Sequence, residues 1–222
     1  MTWSGNGERA ARRGYHHGNL REALIDAAVQ LIAATGPAGF TIAEAARAAG
    51  VSPAAPYRHF RDAEALLADV ALRGYERFSE VLAGAWNGAR PDPVIAFGNL
   101  GRAYLRFARS EPGYYAAMFD AGLSLAAYPA LLAAGDRAFL VLREATDVLC
   151  ARLGEAGLSQ AGPGEAAPPP SLMVALHVWA LAHGIASLFG RGDAARRKLP
   201  MSPEDLLEAG FLVYLRGLGL LG

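Results

Sequence analysis

Few residues in this sequence have the type and spacing that metal or acid–base chemistry requires. A single cysteine, Cys150, excludes an internal disulfide and a cage of cysteine ligands. His177 and His183 are six residues apart, which separates them by roughly 120° around a helix, so they do not converge on one metal ion. The adjacent His16 and His17 likewise cannot share a helix face. We therefore expect no bound metal.

Motifs that carry catalysis or cofactor binding are also missing. The spacing Gly217-x-Gly219-x-x-Gly222 matches a dinucleotide fingerprint, but no helix follows it to receive a phosphate. The sequence contains no P-loop, no nucleophile elbow and no H-E-x-x-H pair. These observations predict a protein that is not an enzyme and that uses no cofactor.

Arginine is the residue type whose distribution stands out. Residues 1–61 contain seven Arg and four acidic residues, a formal charge of +3, which the rest of the chain balances to a net charge of zero. Guanidinium groups pair with phosphates, so this end of the chain is where a nucleic acid would bind. Arg9, Arg12 and Arg13 belong either to an arm that contacts DNA or to a solvated terminal tail.

Capping chemistry predicts four helices in the same region. Their predicted limits are Asn19 to Gly36, Thr41 to Gly50, Ser52 to about His59, and Asp62 to about Ala85. A tight turn at Gly50 joins the second to the third, which makes a helix-turn-helix. In this motif the first helix crosses the DNA backbone and the second enters the major groove.

Helical periodicity continues downstream, and strand alternation of useful length is not found. The predicted helices are Pro93 to Ser110, Tyr114 to Asp120, Ala130 to Leu153, Ser171 to Phe189 and Pro203 to Leu218. Gly157 to Pro170 is rich in Pro, Gly and Ala and is predicted to be a loop. The sequence therefore predicts an all-α fold of about nine helices, with a three-helix domain over residues 1–61 and a second helical domain over residues 62–222.

Several short runs resemble the TetR family of regulators. Asn19 to Leu24, Thr41 to Ala46, Gly50 to Pro53 and Tyr57 to Phe60 resemble the family's DNA-binding half. The run Trp179-Ala180-Leu181-Ala182-His183-Gly184 resembles the W-x-x-x-H-G signature of one branch of its ligand-binding domains. The resemblance implies a ligand-responsive transcriptional repressor that is a homodimer. It also implies that the last two helices form a four-helix bundle with the partner and that an effector binds among the central helices.

The resemblance assigns DNA contacts to the helix-turn-helix. Thr41 matches a phosphate contact, while Tyr57 and His59 match phosphate or base-edge contacts. The predicted DNA-binding residues, including basic side chains that would pair with the backbone, are Arg12, Arg13, Thr41, Arg47, Ser52, Pro53, Ala54, Ala55, Tyr57, Arg58 and His59. The chain departs from the family at Ala63, where Lys is usual, and at Pro56, which lacks the N–H that would bond the Ser52 carbonyl. Few groove-facing residues donate hydrogen bonds, so we expect modest sequence discrimination.

Aromatic residues on two consecutive predicted helices are candidates for the effector site. Hydroxylated rings in a cavity between helices would orient a mostly apolar molecule, although such stripes also form ordinary cores. Trp179 and His183 share a helix face, where His183 either lines the pocket or is hydrogen-bonded in the core. The predicted ligand-binding residues are Tyr104, Phe107, Tyr115, Met118, Phe119, Trp179 and His183.

Two alternatives from other classes stay open at this point. One is a helical small-molecule carrier or protein-interaction module that does not bind DNA. The other is a membrane protein anchored by residues 171–190, which are numerous enough to span a bilayer but include polar groups near the middle. A hydrophobic content of 53% is explained equally well by a dimer interface or an apolar cavity. We expect a cytoplasmic homodimer with operator DNA and a small effector as partners, and no membrane contact.

Overall fold

The computed structural model describes residues 20–157, 170–190 and 200–217. Within these ranges the chain forms helices and no strand, so the predicted all-α fold class is confirmed. The α-helices are α1 (Leu20–Thr35), α2 (Ile42–Ala48), α3 (Ala63–Trp86), α4 (Pro93–Ser110), α5 (Pro112–Phe119), α6 (Pro129–Gly157), α7 (Ser171–Gly190) and α8 (Pro203–Gly217). Short 3-10 helices cover Pro37–Gly39, Pro56–Arg58, Asn87–Ala89 and Leu125–Ala127.

Most helix limits follow the capping and breaking signals of the sequence. Thr41 caps α2 by accepting a hydrogen bond from the Glu44 amide at 3.2 Å, and Asp62 caps α3 by accepting one from the Ala65 amide at 2.8 Å. Gly50 follows α2 with φ of +72°, the left-handed conformation that glycine adopts at little cost. These local signals were sufficient to place the first three α-helices.

Several predictions fall on parts of the chain that are not described. The Asn19 cap, the arginines at positions 9, 12 and 13, the histidines at 16 and 17, and most of the predicted loop after Gly157 lie outside the described residues. Glu22, in the first turn of α1, is described, and its carboxylate accepts hydrogen bonds from Arg73. Gly219 and Gly222 are also outside the described ranges.

The chain divides into two compact units. The first unit comprises residues 1–73 and 113–124, and the second comprises residues 74–112 and 125–222. The first unit therefore includes α1, α2, the beginning of α3 and nearly all of α5. The boundary after residue 61 was predicted between a DNA-binding domain and a ligand-binding domain, and it stays a prediction.

The core of the first unit forms where α1 packs on α2. Leu24, Ile25 and Ala28 of α1 and Ala45 of α2 are fully buried, which follows from their helical spacing on one face of each helix. α5 approaches α1 so closely that a Cβ added to Gly113 would lie 2.2 Å from the Val29 carbonyl oxygen. Only glycine fits at this position.

The core of the second unit lies among α4, α6, α7 and α8, where α4 and α7 pack against each other and each packs against α6 and α8. Phe97, Leu149, Val174 and Leu207 contribute one fully buried side chain from each of these helices. A Cβ added to Gly101 would lie 2.7 Å from the Phe211 ring, so α4 and α8 are in close contact. This four-helix arrangement holds the aromatic residues described below.

Candidate nucleic-acid interface and effector region

Thr41 and its cap define one end of the candidate DNA-binding surface. The Thr41 hydroxyl accepts from the Glu44 amide and donates to the Glu44 carboxylate, with 2.7 Å between the two oxygens. Thr41 and Arg47 are both exposed, whereas Ile42, Ala45 and Ala46 are buried. α2 thus presents its polar side to solvent, and the Thr41 cap fixes its first turn.

The turn after α2 is closed by backbone hydrogen bonds. The Val51 amide donates to the Ala46 carbonyl at 3.0 Å, and the Gly50 amide donates to the Arg47 carbonyl at 3.1 Å. This pairing satisfies carbonyls at the helix end and reverses the chain direction tightly. The turn of the predicted helix-turn-helix is therefore present.

The element after the turn is not the α-helix that was predicted for Ser52 to His59, and this prediction is wrong. Residues 52–60, which we call the recognition segment, contain turns and the 3-10 helix Pro56–Arg58. The Ser52 carbonyl accepts from the Ala55 amide at 3.0 Å, because Pro56, four residues on, has no N–H to donate. The departure noted at Pro56 thus changes the whole segment and not only its start.

The recognition segment nevertheless exposes the side chains that the sequence assigned to DNA contact. Tyr57 is 58% exposed. Pro56 and Phe60, on either side of it in the sequence, are buried. The other predicted contacts on this segment are exposed, except for Ala55, which is half-buried: Ser52, Pro53, Ala54, Arg58 and His59.

Two ion pairs connect α1 to the beginning of α3 inside the first unit. Arg21 donates to the Asp69 carboxylate at 2.7 Å, and the guanidinium of Arg73 donates through both of its terminal nitrogens to Glu22. The hydrogen bonds from Arg73 hold the pKa of Glu22 below its ordinary value. Sequence reasoning missed both pairs, because their members lie 48 and 51 residues apart.

The second unit brings Tyr104 and His183 together. The Tyr104 hydroxyl lies 3.0 Å from Nδ1 of His183, which joins α4 to α7. Burial lowers the pKa of His183, so its neutral form is favoured and its Nδ1 can accept from the phenol. His183 is therefore hydrogen-bonded, and its role as a pocket-lining residue stays a prediction.

Aromatic rings surround this hydrogen bond. Phe78 of α3 packs edge-on against Tyr104 with ring centroids 5.1 Å apart, and lies 4.9 Å from Phe107. Trp179 lies 6.3 Å from the His183 ring and 5.9 Å from Phe139 of α6. Tyr104, Phe107, Trp179 and His183, all predicted ligand residues, therefore belong to one aromatic cluster. Phe78 and Phe139 were missed because they lie on other helices, although the periodicity of those helices could have indicated buried positions.

The remaining predicted ligand residues belong to the other unit. Tyr115, Met118 and Phe119 lie on α5, in the first unit, where the rings of Tyr115 and Phe119 are 4.8 Å apart. Tyr115 and Met118 are buried. The sequence interpretation grouped them with Tyr104 and Phe107 because they are close along the chain.

Two cavities of the second unit have other linings. A cleft of about 220 Å³ lies between α4 and α8, with Phe97, Phe211 and Arg102 among its walls. An open groove of about 710 Å³ lies between α7 and α8, and small residues, Ala180 and Gly210, are part of its lining. None of the predicted ligand residues lines either cavity.

α7 and α8 expose an apolar surface. Leu172, Met173, Leu176 and Leu188 of α7 and Val213 of α8 are each more than two-fifths exposed. By length and composition α7 could span a membrane. Its most apolar stretch of 18 residues has a mean hydropathy of 1.8, and only 33% of that stretch is buried. A single helix of this kind is weak support for a membrane span, and a protein partner would cover the same surface.

In the described ranges, no group of three His, Cys, Asp or Glu side chains could hold a metal ion. His177 lies 3.0 Å from the Tyr214 hydroxyl, on a different side of α7 from the Tyr104 contact of His183. Each imidazole therefore has a tyrosine as its neighbour.

Comparison with known families gives matches at both ends of the chain. Residues 97–213, more than half of the chain, match the family described as "Tetracyclin repressor-like, C-terminal domain". Residues 24–70 match "Bacterial regulatory proteins, tetR family". An uncharacterized HTH-type transcriptional regulator of Bacillus subtilis, YobS, is 28% identical over 100 residues, which are 45% of this chain and 51% of that protein. The chain thus matches about half the length of this curated relative.

Solved structures resemble the chain over most of its length. A protein of unknown function from Rhodococcus sp. RHA1 is 29% identical, with a TM-score of 0.72 over 93% of this chain and 98% of that one. The TetR family regulator PfmR from Thermus thermophilus is 22% identical, with a TM-score of 0.62 over 88% of this chain and 98% of that one. The second likeness concerns the fold alone.

Proposed function

The chain belongs to the TetR family of DNA-binding transcriptional regulators, and we propose that it is a repressor that a small, partly apolar molecule releases from its operator. The observation that carries the DNA-binding part is the exposed surface that follows the turn at Gly50. A buried Tyr57 could not reach a nucleic acid, whereas 58% exposure on a segment anchored by two buried neighbours suits contact with a duplex.

We propose residues 1–61 as the DNA-binding domain and residues 62–222 as the ligand-binding and dimerisation domain. Between Thr41 and Arg61 the chain carries three arginines and one acidic residue, a balance that favours phosphate contacts. The proposed phosphate contacts are Arg47 and Arg58. In this proposal Thr41 contacts a phosphate, and Tyr57 and His59 contact phosphate or base edges. Ala54 or Ala55 contacts thymine methyl groups.

The test is binding of a DNA fragment from upstream of the protein's own gene, measured by fluorescence anisotropy across a range of KCl concentrations. Each phosphate contact contributes about 0.9 to the slope of log K against log salt. Arg47→Ala and Arg58→Ala should each weaken binding and lower the slope by about one. Arg106→Ala is the matched control, since Arg106 is exposed on α4 in the second unit. A wild-type protein that does not bind duplex DNA would contradict the proposal.

For the effector we propose the aromatic cluster around the Tyr104–His183 hydrogen bond, with Phe107 and Trp179, as the polar and apolar parts of one site. A polar pair among aromatic rings suits a mostly apolar molecule with one hydrogen-bonding group. The ligand role of the α5 residues Tyr115, Met118 and Phe119 stays a prediction from the sequence.

The test of the effector site is release of DNA on titration with candidate metabolites. The informative variant is Tyr104→Phe, which keeps the ring and removes the hydroxyl. If the effector binds through that hydroxyl, a higher effector concentration should be needed to release DNA from this variant than from the wild type. An effector that releases this variant at the same concentration would exclude the Tyr104 hydroxyl from the site.

We further propose a cytoplasmic homodimer that associates through α7 and α8. The exposed leucines of α7 and Val213, which is 74% exposed, would be covered by the same face of the partner. Val213→Glu should convert the dimer to a monomer in size-exclusion chromatography with light scattering. Flotation with phospholipid vesicles separates this proposal from the membrane alternative, because a covered dimer surface gives no lipid binding.

A further inference from the structure

We propose that Arg21 positions the recognition segment for DNA reading without touching DNA, acting through the ring of Phe60 and held in place by Asp69. The proposal rests on the proposed DNA-binding function and concerns three residues to which neither the family resemblance nor the exposed surface assigned a role. All three residues lie in the first unit.

The recognition segment lacks the hydrogen bonds that would make it rigid by itself. The Phe60 amide donates to the Pro56 carbonyl four residues back at 2.9 Å, but the other bonds connect residues three apart, as from Arg58 to Ala55 at 3.3 Å. Such bonds have poorer geometry than those of an α-helix and stabilise only short pieces. The orientation of Tyr57 must therefore come from the residues that bury the segment, and Phe60 is 4% exposed.

Arg21 covers the Phe60 ring. The guanidinium carbon lies 5.5 Å from the ring centroid, within the range of a cation–π contact. The same guanidinium donates to Asp69 at 2.7 Å, and the Asp69 side chain is only 13% exposed. The largely buried Asp69 carboxylate on α3 thus orients the Arg21 guanidinium, which lies over the ring of Phe60 at the end of the recognition segment.

The neighbouring ion pair sets the register of this contact. Arg21 and Glu22 are adjacent on α1, and Asp69 and Arg73 are one turn apart on α3, so the two pairs have opposite polarity. A slip of α3 by one turn would bring Arg21 toward Arg73, where like charges repel. The alternation therefore favours the observed alignment of α1 with α3, in which Arg21 lies over Phe60.

The alternative role for Arg21, direct phosphate contact, makes a different prediction. A phosphate contact would lower affinity for every duplex and would reduce the salt slope by about 0.9 when the charge is removed. A positioning residue affects mainly the sequence-specific contacts, so its loss lowers the ratio of operator to unrelated-duplex affinity and leaves the slope unchanged. The two measurements separate the roles.

The first experiment needs no DNA. Amide hydrogen exchange of the full-length protein is compared between wild type and Asp69→Asn, which keeps the side-chain size and removes the charge. Exchange at the His59 and Phe60 amides should rise about three- to tenfold, in line with the modest strength of such contacts. Amides of α2 serve as the internal control, and unchanged exchange at positions 59 and 60 would overturn the proposal.

The second experiment measures binding of an operator duplex, defined by footprinting of the wild type, and of an unrelated duplex of equal length. Asp69→Asn and Arg21→Met should lower operator affinity about three- to tenfold, change unrelated-duplex affinity by less than about twofold, and keep the salt slope. Arg21→Lys retains the charge but not the planar group, so its operator affinity should lie between that of the wild type and that of Arg21→Met. Arg109→Met is the control, since it breaks a 2.8 Å pair with Glu204 in the second unit.

An equal loss on both duplexes with a reduced slope in Arg21→Met would assign Arg21 to phosphate and overturn the positioning role. Failure of the wild type to bind either duplex would instead contradict the proposed function, while the exchange experiment would still decide whether Arg21 and Asp69 hold the recognition segment.

Discussion

Gly113 lies where the first turn of α5 meets the backbone of α1, and its replacement tests the packing of the first unit. A Cβ at this position would be 2.2 Å from the Val29 carbonyl oxygen and 3.0 Å from Val29 Cγ1. The closer obstacle is backbone, which cannot rotate away as a side chain can. Gly113→Ala must therefore separate the two helices or distort one of them.

The size of the effect follows from two opposing contributions. Overpacking of a tight contact costs about 1–3 kcal/mol, and a backbone obstacle favours the upper value. Alanine in a helix is better than glycine by about 1 kcal/mol. We expect a net loss of about 2 kcal/mol, which in a chain of this size lowers Tm by about 4–8 °C.

The assay is thermal unfolding followed by circular dichroism, with Gly84→Ala as the matched control. Gly84 is exposed on α3, and a Cβ there would meet nothing within 4 Å. The same substitution should therefore raise Tm by about 2–4 °C. If Gly113→Ala raises Tm as Gly84→Ala does, α5 does not pack on α1 as described.

Four further outcomes are expected. Burial lowers the pKa of His183 from 6.5, so below about pH 6.5 the unfolded chain binds a proton that the folded chain does not. The free energy of unfolding should therefore be full above this pH and fall as the pH drops through the folded pKa. His183→Gln should reduce this pH dependence in urea titrations at about pH 5 to 8. Thr41→Ala removes the α2 cap and should cost about 1 kcal/mol in urea unfolding, while Thr41→Ser restores most of it. Pro56→Ala supplies the missing N–H, so NMR Cα shifts of residues 53–59 should move toward α-helix; unchanged shifts would mean that the proline does not set the local structure. Partial burial raises the pKa of the Cys150 thiol, so its alkylation by iodoacetamide at about pH 8 should be slower than that of a free cysteine, and equal rates would mean that the thiol is fully accessible.

The sequence predicted the fold well where the determining interactions are local. Caps, glycines with positive φ and prolines act on the residues within one turn of them, so the limits of α2, α3 and α4 could be placed without any tertiary information. The turn at Gly50, which follows α2, belongs to this class. The same reasoning failed for the recognition segment, because Pro53 favoured a helix start while Pro56 prevented the helix from continuing, and propensity alone did not decide between them.

The candidate site was predicted in part. Tyr104 and His183 were both named, but nothing in the sequence pairs residues 79 positions apart, and chain proximity grouped Tyr104 with α5 residues that belong to the other compact unit. The sequence also could not decide what covers the exposed apolar side chains of α7, because an uncharged run has the same composition in a membrane, in a core and in a dimer interface.

What the sequence determined by itself was the position of the α-helices outside the recognition segment, the turn at Gly50 and the family, since each is encoded in residues that are neighbours along the chain. Only the tertiary structure decided which distant side chains meet: Arg21 on Phe60, Glu22 with Arg73, Tyr104 with His183. These contacts depend on how helices pack, and packing is a property of whole faces and their shapes, which no short run of residues specifies.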